Sequence, residues 1–68
     1  MSAETVSGLD AFDAPYGCQV VLQDVVHESG LRLLRVRIRE GRRFTVIDID
    51  PSTAARWGRT MLDWAEQC

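Results

Sequence analysis

The sequence predicts a small α+β domain: a three-stranded antiparallel meander with one C-terminal helix packed on one face, in the order β-β-β-α. Three observations lead there. Leu34-Arg35-Val36-Arg37-Ile38-Arg39 alternates strictly between aliphatic residues and arginine, which as a strand sends the two sets to opposite sides of a sheet. Glu28-Ser29-Gly30 and Glu40-Gly41 place tight reversals on either side of that run. After Asp50-Pro51 the apolar residues change to helical spacing.

Residues 1–17 hold no sustained period. Leu9, Phe12 and Tyr16 are scattered among Asp10, Asp13, Pro15 and Gly17, so a flexible or irregular N-terminal segment is expected, ending in a turn at Pro15-Tyr16-Gly17. Residues 18–68 are expected to form the single β-β-β-α domain. Cys18 to His27 is rich in β-branched residues and free of proline and glycine, which favours a strand. Val20, Leu22 and Val26 share one side, interrupted by Asp24, and Val21, Gln23 and Val25 share the other. The second strand runs from Leu31 or Arg32 to Arg39, with Leu34, Val36 and Ile38 toward the core. The third, Arg42 to Ile49, carries two competing patterns. Phe44 and Val46 are placed inward, with Thr45, Ile47 and Ile49 on the other side.

Asp50 is a suitable N-cap, and Pro51 fits the first helical position, where its missing amide hydrogen costs nothing. Counted from Ala54 at 100° per residue, Trp57, Gly58, Met61, Leu62, Trp64, Ala65 and Cys68 fall within an arc of about 160°. The arc is expected to lie on the sheet, with Gly58 allowing a close approach of the two backbones. The predicted core is therefore Val20, Leu22, Leu34, Val36, Ile38, Phe44, Val46, Ala54, Trp57, Gly58, Met61, Trp64 and Ala65. On this reading Trp57→Ala costs about 3–5 kcal/mol, and Arg37→Ala leaves the fold intact.

Length bounds what such a domain can do. A chain of 68 residues has one small core, with a net margin of only about 3–5 kcal/mol, which makes a dimer plausible. Net charge is −2, unlike a dedicated nucleic-acid binder, yet the charge is segregated. All eight basic residues are arginines after residue 30, whereas the first 30 residues hold only acids: Glu4, Asp10, Asp13, Asp24 and Glu28. The two cysteines, Cys18 and Cys68, make no disulfide framework or zinc motif. With no membrane-length apolar run and no secretory leader pattern, a cytoplasmic protein is expected.

The stretch from Leu33 to Ala65, LLRVRIREGRRFTVIDIDPSTAARWGRTMLDWA, resembles a small uncharacterised proteobacterial protein family, a domain of unknown function. That resemblance implies a small bacterial protein and no particular activity. In the order of its elements the chain is also similar to single-stranded-DNA-binding coactivator-like proteins, which implies a dimer presenting a basic curved sheet.

No catalytic set is evident. His27, the only histidine, sits at a strand end beside Glu28, and Ser29 reads as a turn residue rather than a nucleophile. Asp48 and Asp50 offer too few oxygens for a hard cation, and neither a metal site nor a cofactor is expected. The candidate partner- or phosphate-binding residues are Arg35, Arg37, Arg39, Arg42 and Arg43, read as a ridge across one sheet face and its hairpin tip. Set among valine and isoleucine, that face reads as solvated, internally paired or ligand-bearing. The favoured function is a protein-interaction or homodimerising domain without catalytic activity. Its partner is itself or another protein, with single-stranded nucleic acid as the alternative.

Overall fold

The computed structural model describes residues 4–68. Four strands, β1 (Glu4–Ala14), β2 (Cys18–His27), β3 (Arg32–Glu40) and β4 (Arg43–Ile49), form one antiparallel sheet in the order β1-β2-β3-β4, followed by helix α1 (Pro51–Glu66). The expected three-stranded meander is therefore corrected to a four-stranded one. The segment expected to be irregular supplies the longest strand; its residues 1–3 lie outside the described ones.

A bulge explains why β1 escaped the alternation test. Gly8 pairs with Gln23 and Asp10 with Leu22, so Leu9 is an extra residue and the side-chain alternation changes phase there. Thr5 and Ser7 before the bulge share a face with Asp10, Phe12 and Ala14 after it. Read without that shift, Val6, Leu9 and Phe12 recur every three residues and do not match the strand period of two.

Cross-strand register assigns the two faces. One carries Phe12, Val20, Leu22, Leu34, Val36, Ile38, Ile47 and Ile49, and is mainly apolar. Polar residues on the same face lie toward its margins, Ser7, Asp10, Arg32, Arg43 and Thr45 among them, and within it Asp24 accepts a 2.9 Å bond from Arg32 Nε. The other face carries Gln19, Val21, Gln23, Val25, Leu33, Arg35, Arg37, Arg39, Phe44, Val46 and Asp48. The inward assignment of Phe44 and Val46 is thus reversed: both stand on the arginine face, and Phe44 is 63% exposed. Ile47 and Ile49 take the apolar face, because pairing of Val36 with Ile47 and of Leu34 with Ile49 fixes the parity of β4.

The helix differs most from expectation. It meets the sheet chiefly at β3, and only Thr53 and Ala54, in its first turn, are half-buried. Trp57, Gly58, Met61, Trp64 and Ala65, expected in the core, are all exposed in the single chain, Trp57 at 42% and Trp64 at 68%. Among the described residues only Val25, Val36 and Ile49 are buried apolar side chains. The molecule is accordingly long and thin, 44 × 29 × 15 Å.

Candidate functional site

Two surfaces carry the chemistry of this chain, one on each face of the sheet. The arginine face is organised by its own acids. Arg35 donates from Nε and Nη2 to the two carboxylate oxygens of Asp48, at 2.8 and 3.0 Å, and lies 3.6 Å from Glu4. Glu4 in turn stands 3.2 Å from His27 Nε2. Register brings these four together: His27 pairs with Glu4 across β1–β2, and Arg35 with Asp48 across β3–β4. The two-pronged bond with Asp48 raises the Arg35 pKa, and Arg35 holds the Asp48 carboxyl below its ordinary value.

The five arginines expected to form a ridge are not one surface. Arg35, Arg37 and Arg39 share a face, Arg42 sits in the β3–β4 turn, and the register of Arg43 with Glu40 puts Arg43 on the apolar side. Arg35 is neutralised by Asp48, whereas Arg39 donates to the Gly41 carbonyl at 3.1 Å and lies 5.5 Å above the Phe44 ring. Among the described residues Arg37, Arg42 and Arg43 form no ion pair. A shallow cleft of about 320 Å³ runs between Gln19, Gln23, Arg37, Arg39 and Phe44. The buried Gln23 Oε1 has no hydrogen-bond partner.

The second surface is apolar. Phe12, Val20, Leu22, Ile38 and Ile47 lie side by side on the sheet without being buried. The unfilled helix arc adds Trp57, Met61, Leu62 and Trp64, all exposed. Between sheet and helix start lies a cleft of about 270 Å³ bordered by Leu9, Asp24, Leu34, Pro51 and Ala54. Leu9 reaches it because the bulge frees it from strand alternation. Sequence reasoning placed Ile47 and Ile49 off this surface, and for Leu9 and Phe12 it expected only that an irregular segment lays one or two apolar side chains on the core. The Thr45-Ile47-Ile49 alternation was the available signal for Ile47 and Ile49.

The junction between sheet and helix is a single residue. Asp50, at φ −77° and ψ 164°, links Ile49 of β4 to Pro51 of α1. It occupies the N-cap position without a side-chain bond to the helix amides; instead the Ser52 hydroxyl donates to its carboxylate. That bond, with a further one from the Thr53 side chain, lowers the Asp50 pKa.

Among the described residues no group of histidine, cysteine, aspartate and glutamate could hold a metal ion, and no helix is long and apolar enough to cross a membrane. No curated protein and no solved structure matches the chain. A family model does match, over residues 3–67, nearly the full length. The chain thus belongs to DUF6967, a family of unknown function.

Proposed function

We propose that this chain is a homodimerising protein-interaction domain without catalytic activity, and that its working unit is a pair of chains joined through the apolar surface. The observation that carries this reading is the bare apolar area. The chain exposes 5628 Å², whereas a compact monomer of 7.7 kDa exposes about 4,300 Å². The excess is about 1,300 Å² per chain, or about 2,600 Å² for two, which falls in the range of obligate homodimer interfaces. Exposed side chains include Leu9, Phe12, Trp57, Met61, Leu62 and Trp64, which a water-exposed helix and sheet do not need. Two free cysteines, Cys18 and Cys68, suit a reducing compartment such as the cytoplasm.

Static light scattering over a concentration series tests the proposal. A mass of twice 7.7 kDa is expected at all but the lowest concentrations. A mass of one chain at every concentration removes it.

Single-stranded nucleic acid is the second reading, and one observation favours it. Phe44 stands on the arginine face beside Arg39, near the unpaired Arg37, and so offers a stacking ring beside a cation. Binding of a labelled oligonucleotide at about 50 mM salt, weakening steeply as salt rises, is the expected signature. Absence of binding under those conditions eliminates this reading and leaves the dimer untouched.

A further inference from the structure

The apolar surface is split between two elements that the chain itself does not bring together. We infer that they meet between chains: α1 of each copy lies across the apolar sheet face of the other, so that two helices are exchanged about a two-fold axis. This rests on the homodimer reading and specifies its geometry.

The junction supplies the first argument. One residue separates β4 from α1, and the residue after it is proline. Proline fixes its own φ and confines the preceding residue to extended conformations, which Asp50 adopts. The helix therefore leaves the sheet in a direction set by β4. It has no loop with which to turn its Trp57–Trp64 arc back over its own β2 and β3.

Complementarity supplies the second. The chain carries both halves of a helix-on-sheet interface, each unfilled. The helix offers an arc from Ala54 to Ala65 that rises about 17 Å. The sheet offers Val20 to Val26 along β2, about 20 Å. Gly58, in the middle of the arc, has nothing within 4 Å of a Cβ built upon it, so its missing side chain is not required by any contact within this chain. In a helix exposed to water glycine costs about 1 kcal/mol against alanine; against a second sheet it permits close approach. A second copy fills both halves at once, and a two-fold arrangement leaves neither over.

Mixing two defective variants tests the exchange directly. Met61→Asp spoils the helix surface, and Ile38→Asp spoils the sheet face. Each alone is expected to sediment as one chain, because every helix–sheet contact then includes a defect. Mixed in equal amounts, they restore one of the two contacts, that between the intact sheet of the first and the intact helix of the second. A species of twice the single-chain mass containing both variants, shown by a tag on one of them, is expected. A mixture that stays at single-chain mass overturns the exchange, as does either variant alone remaining dimeric. Should Ile38→Asp or Met61→Asp lose its sheet or helix signal by circular dichroism, Ile38→Thr with Trp57→Gln is read in the same way. The wild-type mass separates the two levels. A dimeric wild type with no complementation sinks only the exchange, whereas a monomeric wild type sinks the homodimer as well.

Discussion

Arg35 shows how a residue that looks like a ligand anchor can be consumed by its own fold. Its 2.8 and 3.0 Å bonds to Asp48 make it an internal strut between β3 and β4 rather than a free cation. Nothing in local sequence announces this, because the partner lies 13 positions away and is chosen by strand register. Because the folded Asp48 carboxyl titrates below its ordinary range, it contributes stability above about pH 4 that is lost as pH falls through the folded value. Asp48→Asn is expected to cost about 0.5–1 kcal/mol at neutral pH, the scale of a partly exposed pair, and to flatten the loss of stability on acidification. Urea unfolding at pH 7 and pH 3 reads both. Tyr16 offers a second residue-scale test. It is fully exposed at φ 66°, in the left-handed region, ahead of Gly17 at φ 71°. Asparagine tolerates that region better than a bulky aromatic. Tyr16→Asn is expected to raise stability by about 0.5–1 kcal/mol, seen as a higher melting temperature.

Among the elements, legibility in the sequence followed the cleanness of the period. β2, β3 and α1 begin within a residue of where composition and turns placed them. β1 was lost because a one-residue bulge at Leu9 breaks the alternation on which strand recognition depends. In β4 two alternations were present, and the sequence reading placed Phe44 and Val46 inward. Pairing with β3 decided for Ile47 and Ile49. The helix arc itself was legible, but what it packs against was not, because a hydrophobic stripe says that something covers it and not which chain. Trp57→Ala separates the two possibilities. With Trp57 at a chain–chain contact, its loss is expected to weaken association by about tenfold to a hundredfold, the scale of an interfacial aromatic, as measured by sedimentation equilibrium. Arg37→Ala, on the opposite face and without an ion pair, is expected to shift stability by no more than about 0.5 kcal/mol.

For the molecule as a whole, the dimensions are those of an open chain around a small core. A compact chain of this length has a radius of gyration of about 11 Å, and this one has 13.6 Å. Among the described residues three buried apolar side chains make a small core, when a full core of a 68-residue chain supplies only about 3–5 kcal/mol. On the proposed dimer, association adds to the stability of each folded chain, since part of the surface that covers its core belongs to the other. Unfolding followed across a hundredfold range of chain concentration tests that claim most directly. The urea midpoint is expected to rise with concentration, by the equivalent of about 1.4 kcal/mol per mole of dimer for each tenfold step. A midpoint that stays fixed over the whole range would contradict it, and would mean that one chain folds without its partner.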